Sequence, residues 1–300
     1  MARQDAFKTV GVVGLGLIGT AVSLRLIEAG FDVVGYDVDP ERCAALARNG
    51  GVPAGSLADL ARAAQPIVTC VFNTEQTEDV VENVIAALGE NSGRIVIATS
   101  TLDPDRVEVL AARVAARGIR LIDVPVSGSS DMVREGTGLG LMGGDPVVAE
   151  EVRPVLDAVF PKRVHVGRSG NGGRAKLAIN LIGGLNRLVL AEGLVFAERM
   201  GLDPKAFLEI AKRAASYSHA MEGKGAKMVS GDFVPLGRAR QHLKDVQLML
   251  DQARKLGQEL PLTTLHETIL KSCLAHGEGD LDNAVVINEI RRRGQTSGAA

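Results

Sequence analysis

Val10-Gly11-Val12-Val13-Gly14-Leu15-Gly16-Leu17-Ile18-Gly19 decides how the rest of the chain is read. A β-branched run, Thr9 to Val13, leads straight into G-x-G-x-x-G, and a helical composition follows. In a strand, turn and helix of this kind each glycine has its own task. Gly14 permits the tight turn, Gly16 lets the backbone approach a pyrophosphate, and Gly19 allows close packing of helix on strand. The helix start at Leu17 and Ile18 adds amide donors and the positive end of the dipole. The next β-branched run, Phe31 to Tyr36, ends at Asp37, 18 residues beyond Gly19. An acidic residue is expected near there to accept from the adenosine ribose hydroxyls. Its carboxylate would repel a 2'-phosphate, and no arginine follows immediately in Asp37-Val38-Asp39, so NAD is favoured over NADP. Arg42, one helical turn on, is expected to be a solvated helix-face arginine.

Outward from this unit, short β-branched runs alternate with helical patterns, the signature of βαβ units and a parallel sheet. Strands are expected at Ile67 to Phe72, Ile95 to Thr99 and Ile119 to Asp123, completed by Gly138 to Met142 and Arg163 to Val166. Helices are expected at Thr20 to Ala29, Pro40 to Asn49, Glu75 to Leu88 and Asp103 to Arg117. After about residue 168 the strand signals stop. A helix from Gly173 to Met200 would be about 42 Å long at 1.5 Å per residue, stopped by Gly201, with Pro204 opening the next. Further helices are expected at Pro204 to Ala215, Leu236 to Lys255, Pro261 to Ala275 and Asn283 to Arg293, and a disordered tail at Gly294 to Ala300. The fold class is therefore α/β: a doubly wound parallel sheet over residues 1–167, then an all-helical domain over 168–300, joined by the long helix.

The 300 residues carry 34 basic and 36 acidic side chains, a balance that offers nucleic acid and acidic membranes no electrostatic handle. Cys43, Cys70 and Cys273 are an odd number and far apart, with no metal-ligand spacing, which points to a reducing cytoplasm and to no metal. Aromatic residues make up 3%, so the core is built from Ala, Val, Ile and Leu. Arg3 and Lys8 ahead of the apolar run Val10 to Leu24 imitate a secretory signal. The four glycines in the run, and Arg25 and Glu28 after it, argue against one. The polar residues Asn180, Asn186, Arg187, Glu192 and Glu198 argue against a membrane span in Leu177 to Met200.

A second constellation lies at Asp123-Val124-Pro125-Val126-Ser127-Gly128, on a strand end, and at Gly170-Asn171-Gly172-Gly173-Arg174-Ala175-Lys176 through Asn180, opening the long helix. Lys176 and Asn180 are an i,i+4 pair and share one helix face. Taken alone, Lys176 is an ordinary solvated lysine and Ser127 a turn residue. The histidines show no paired spacing, and Asp203 with Glu209, or Asp280 with Asp282, read as cap or surface residues.

With these segments, and with Ser100-Thr101 before Pro104, Gly136 before Gly143-Gly144-Asp145, and Lys244-Asp245, the chain resembles the β-hydroxyacid dehydrogenase family over nearly its whole length. These are relatives of 3-hydroxyisobutyrate and 6-phosphogluconate dehydrogenases. The resemblance implies a Rossmann domain, NAD-dependent interconversion of a short 3-hydroxy acid and its semialdehyde, and Lys176 as general acid/base. It makes Asn180 a substrate-orienting donor and has Ser127 and Gly128 bind the substrate carboxylate. It also brings Thr101 near the nicotinamide, Lys244 to the cofactor or active site, Phe233 to the pocket, and Val71, Phe72 and Asn73 to a cofactor loop. It agrees with a homodimer or higher homo-oligomer, which the apolar surface of the long helix also calls for. Hydride departure from an alcohol carbon requires removal of the hydroxyl proton, and a cleft lysine with a lowered pKa does this near neutrality.

Several positions depart from the family pattern: Val71-Phe72 in the cofactor loop, Ser129 after Ser127-Gly128, Ile179 before Asn180, and Gly138 and Gly140 in their strand. They leave the substrate's distal group open. An imine-reducing relative, which would usually lack the lysine, and a dinucleotide sensor without turnover are the two alternatives.

Overall fold

A computed structural model describes residues 7–295. The chain divides into two compact units, Met1–Lys176 and Leu177–Ala300. Arg3 and positions 296–300 of the expected tail lie outside the described residues, whereas Gly294 and Gln295 continue the last helix, Val286–Gln295.

The first unit contains β1 (Thr9–Val13), β2 (Asp32–Tyr36), β3 (Val52–Pro53), β4 (Ile67–Thr69), β5 (Ile95–Ala98), β6 (Arg120–Asp123), β7 (Val126–Ser127), β8 (Leu139–Gly143) and β9 (Lys162–Gly167). Their order is β3-β2-β1-β4-β5-β6-β8-β7, with β9 on β8. The first six strands run parallel. The strand order reverses at β1, which puts a crevice at the carboxyl ends of β1 and β4, where ligands of such sheets bind. Alternation along each strand fills both faces: Val10, Val12, Ile95, Ile97 and Ile122 enter one core, and Val13, Ile67, Val96, Ala98 and Leu121 the other. Beyond β6 the sheet is mixed, since β8 pairs antiparallel with β6 and β7 but parallel with β9. The connection from β7 holds only the short helix Ser130–Arg134, too little for a parallel crossover.

Four helices begin with the same dipeptide. Asp39-Pro40, Asp103-Pro104, Asp145-Pro146 and Asp203-Pro204 each place an aspartate whose side chain accepts from first-turn amides, followed by a proline with its φ preset for the helix.

The long helix spans Asn171–Arg199. By length and composition it is apolar enough to cross a membrane, with mean hydropathy 1.4 over 18 residues, contrary to the expectation that its polar residues disqualify it. The charges are widely spaced among Leu, Ile, Val and Gly. It is a core helix of the second unit: Leu188, Ala191 and Leu194 pack in one cluster with Leu243, Val246, Met249, Ile269, Leu270 and Val285. The chain turns at Gly201, φ +87°, and enters the helix Pro204–Ala211. A π-helical turn, Met221–Gly225, and the short helix Ala226–Ser230 follow where no element was expected. The helices Ala239–Lys255 and Pro261–Ala275 complete the scaffold with the last helix.

Candidate functional site

The glycines of the first turn divide into two kinds. A Cβ on Gly14, whose φ is +88°, would lie 2.6 Å from the Cys70 carbonyl oxygen, and one on Gly19 would collide with the Gly14 carbonyl. Those two are demanded by the fold itself. Gly16 is different: its Cβ would meet only Arg42 Nη1, at 3.9 Å. The space above Gly16 is a cradle that a side chain would fill. The helix Leu17–Glu28 starts there with no side-chain cap and no acidic residue in its first turn, so the Leu17 and Ile18 amides have no partner within the helix. These residues fit the pyrophosphate of a dinucleotide.

Asp37, at the end of β2, turns its carboxylate onto this loop. Oδ2 accepts from Leu15 N at 2.6 Å and Oδ1 from Asp39 N at 2.9 Å. Arg42 is not simply solvated, as expected: Nη1 lies 3.3 Å from Asp37 Oδ2 and Nε 3.3 Å from Asp39 Oδ2. Two carboxylates one turn away hold the guanidinium, although it stays partly exposed.

After β4, the Val71 carbonyl accepts from Ser100 Oγ at 2.5 Å, and Phe72 N donates to Gln76 Oε1 at 2.8 Å. Asn73 Oδ1 accepts from Gln76 N at 2.9 Å, capping the helix Thr74–Leu88. This cap commits the Asn73 side-chain oxygen, and the Asn73 carbonyl accepts from Thr77 N at 3.2 Å and from Thr77 Oγ1 at 3.1 Å. Thr101 follows β5 in a half-buried position. Burial pushes the Cys70 thiol up to about 12, against the lowering effect of Thr99.

The second constellation converges on Asp123. Its carboxylate is 2% exposed and accepts from Gly170 N at 2.8 Å and Gly173 N at 3.0 Å, the start of the long helix. Burial raises its pKa, while the Gly170, Gly173 and Gly172 amides work in the other direction. Lys176, one turn further along, is 7% exposed, unlike an ordinary solvated lysine. On the strand side the same segment carries Ser127, whose hydroxyl has no hydrogen bond among the described residues, and Gly128, at φ +153°.

Asn180 and Lys244 are placed in the second unit. Asn180 Nδ2 donates to Asp245 Oδ2 at 2.9 Å, and Lys244 Nζ lies 3.0 Å from Asp245 Oδ1. Asp245, being acceptor-only when ionised, fixes which way the Asn180 amide faces. Phe233 is half-buried against the helical core. Ile179 is partly exposed beside Asn180.

Sequence reasoning missed the buried charges around these residues. Arg187 is buried on the long helix, with Nε and Nη2 making no hydrogen bond. Burial brings it down to about 10 against the opposing attraction of Asp282 and Asp245. Asp282, expected to be a cap or surface residue, does cap the turn Asn283–Val285 but is 0% exposed, and Lys224 Nζ donates to it at 2.8 and 2.9 Å. His242 and His266, 24 residues apart in sequence, have ring centroids 5.1 Å apart. Among the described residues no group of three His, Cys, Asp or Glu is placed to hold a metal. The one sequence signal for the Asp245 contact was its adjacency to Lys244.

Residues 9–167 match the NAD-binding domain of 6-phosphogluconate dehydrogenase, and residues 170–290 the NAD-binding domain of NADP-dependent 3-hydroxyisobutyrate dehydrogenase. The chain is 32% identical over 282 residues to L-threonate dehydrogenase of Cupriavidus necator, covering 93% of this chain and 95% of that one. A solved 3-hydroxyisobutyrate dehydrogenase from Salmonella typhimurium superposes with TM-score 0.85 at 28% identity, covering 93% of this chain and 99% of that one. The solved complex of Psf3 with NADP+ and 2-OPP matches with TM-score 0.84 at 26% identity, covering 93% and 99%.

Proposed function

The chain belongs to the β-hydroxyacid dehydrogenase family of NAD(P)-dependent oxidoreductases, and on that premise we propose that it interconverts a short 3-hydroxy acid and its semialdehyde, with Lys176 as general acid/base. The observation that carries this reading is the burial of Lys176 one turn into a helix whose start is held by Asp123. A lysine with no chemical task is seldom withdrawn from water.

In the oxidative direction the Lys176 amine takes the hydroxyl proton as the C3–H bond breaks, and the alcohol becomes a carbonyl. In reduction the same nitrogen, protonated, returns the proton to the oxygen. Ser127 and Gly128 receive the substrate carboxylate, and the second Nδ2 hydrogen of Asn180 orients the hydroxyl. The bound nicotinamide supplies or accepts the hydride. Gly14, Gly16, Leu17, Ile18 and Gly19 receive the pyrophosphate, Asp37 the ribose hydroxyls, and Val71, Phe72, Asn73, Thr101 and Lys244 complete the cofactor contacts.

NAD is the preferred cofactor on this reading, because Asp37 turns a carboxylate where a 2'-phosphate would sit. Arg42 tempers that preference by sharing the carboxylate. The enzyme acts in the cytoplasm as a homodimer or higher homo-oligomer, which would cover Ile182, Val189 and Phe196, exposed in a row along the long helix. Residues 1–167 bind the dinucleotide, and residues 168–300 serve substrate and assembly.

The test is formation of reduced nicotinamide from NAD or NADP with a panel of short 3-hydroxy acids, including L-threonate. Lys176→Ala should lower kcat by about 10²–10⁴-fold while NAD still binds. Full turnover in that variant defeats the lysine mechanism. Asp37→Ala should narrow the NAD over NADP preference, and unchanged selectivity removes Asp37 from cofactor choice.

A further inference from the structure

We propose that Asp123 is a positioning residue for Lys176, setting the acid/base helix against the Ser127-Gly128 loop. The inference rests on the reading of Lys176 given above. Asp123 occupies a junction: it ends β6, begins the segment that carries Ser127 and Gly128, and its two carboxylate oxygens hold Gly170 N and Gly173 N at 2.8 and 3.0 Å. One side chain thus ties the origin of the proposed carboxylate-binding loop to the origin of the proposed acid/base helix.

Arg174 Nη2 ties the first turn of the long helix to Asp105 Oδ1 and Glu108 Oε2, each at 3.0 Å, but Asp123 alone among the described side chains accepts from its opening amides. The helix has no acidic residue there. Asn171 faces away, with Nδ2 donating to the Val166 carbonyl at 2.9 Å and Oδ1 accepting from Arg174 Nη1 at 3.2 Å. Asp123, 47 residues from Gly170, does what Asp39, Asp103, Asp145 and Asp203 do locally for their own helices. The local aspartates leave their helices free to shift with their own loops. A cap supplied by a strand fixes the helix to the sheet.

Two glycines make the fit close. A Cβ on Gly172 would lie 2.5 Å from Asp123 Oδ2 and strike the Leu141 carbonyl, and one on Gly143 would lie 2.7 Å from Asp123 Oδ1 and 2.8 Å from Gly172 N. The register of helix on sheet therefore has little play, and Lys176 sits three residues beyond the second amide held. A misplacement of about 1 Å in a reacting group costs on the order of 10²-fold in rate. Burying a carboxylate is unfavourable without full hydrogen bonding, and here that bonding is spent on the helix bearing the proposed acid/base.

The experiment is a double-mutant cycle of Asp123→Asn with Lys176→Ala, read by kcat, KM and NAD affinity. The asparagine amide keeps one acceptor and turns a donor towards the other backbone N–H. Asp123→Asn alone should lower kcat by about 10- to 100-fold, with NAD affinity changed less than about twofold, because the cradle at Gly14–Gly19 is separate. In the Lys176→Ala background, with ethylamine added to make turnover measurable, the same substitution should cost less than about twofold, since no tethered amine remains to misplace. Equal losses in both backgrounds, or no loss of kcat in the single variant, overturn the proposal. Full activity in Lys176→Ala alone overturns the lysine reading first, and the positioning role with it. Should Asp123→Asn fail to fold, Asp123→Ser, smaller and still an acceptor, carries the same cycle.

Discussion

The two units bury different chemistry. In the first, the sheet core is aliphatic on both faces, with Val10, Val12, Ile95, Ile97 and Ile122 on one side, and Asp123 is buried at the end of β6. In the second, Arg187, His242, Asp245, His266, Asp282 and Glu289 are all buried. A parallel sheet satisfies its own main chain and asks only for β-branched side chains on its faces. The helical unit instead holds a row of alternating charges. Lys244 and Asp245 form an ion pair, Arg187 is attracted to Asp245 and Asp282, and Asp282 binds Lys224. An aliphatic core fails by degrees as methyl groups are removed, whereas a charge row fails at once when a member is left without its counterion.

The largest test of that contrast is Asp282→Ala. It strips Lys224 of its partner and removes one of two carboxylates attracting Arg187, and it deletes acceptors for the Leu236 and Ala284 amides. Loss of one partner of a buried pair costs about 3–5 kcal/mol. Chemical denaturation should show a loss of that size; one below about 1 kcal/mol would mean the row is not stabilising.

Acid should reveal the same row. Burial, reinforced by Arg187, holds His266 down to about 3. The unfolded chain, with an ordinary histidine near 6.5, then binds the proton more readily than the folded one. Stability from this group is full above about pH 6.5 and is lost progressively as pH falls towards 3, by a few kcal/mol in all. His266→Gln should flatten the pH dependence of unfolding over that window. An unchanged slope would assign acid sensitivity elsewhere.

Much of the first unit was legible because its information is local. The strand runs, the glycine turn and the Asp-Pro helix starts can each be read within a few residues. β3 and β7, of two residues each, are too short to show a period. The antiparallel return of β8 depends on a connection length that no propensity records. Arg187 read as a polar interruption and Asp282 as no more than a cap or surface residue because their partners are remote in sequence. The same is true of Asp123 and Gly170, and of Asn180 and Asp245, which lie 65 residues apart. Lys176, Asn180, Ser127 and Gly128 were found through family resemblance, and the carboxylates that hold two of their segments were left without a role.

In the aliphatic unit a matched substitution should be mild. Ile97→Val removes one methylene from a fully packed strand position and should cost about 0.5–1.5 kcal/mol, measured as for Asp282→Ala. A loss as large as that of Asp282→Ala would erase the distinction between the two interiors.

The smallest expected effect on stability is at the glycine that the fold does not need. Gly16 has φ −71° and ψ −161°, a conformation open to any residue, and an added Cβ would meet nothing closer than Arg42 Nη1 at 3.9 Å. Gly16→Ala should therefore cost less than about 1 kcal/mol, the scale of exchanging glycine for alanine at a helix start. On the proposed cofactor reading the methyl group would nonetheless stand in the path of the pyrophosphate, and NAD affinity should fall by tenfold or more, about 1.4 kcal/mol. Gly19→Ala is the opposite case, since its Cβ collides with the Gly14 carbonyl and the turn itself must move. If Gly16→Ala binds NAD as tightly as the parent, the open space above Gly16 is not the pyrophosphate site. If it binds weakly and unfolds like the parent, the dinucleotide is received in volume that the fold leaves empty above Gly16.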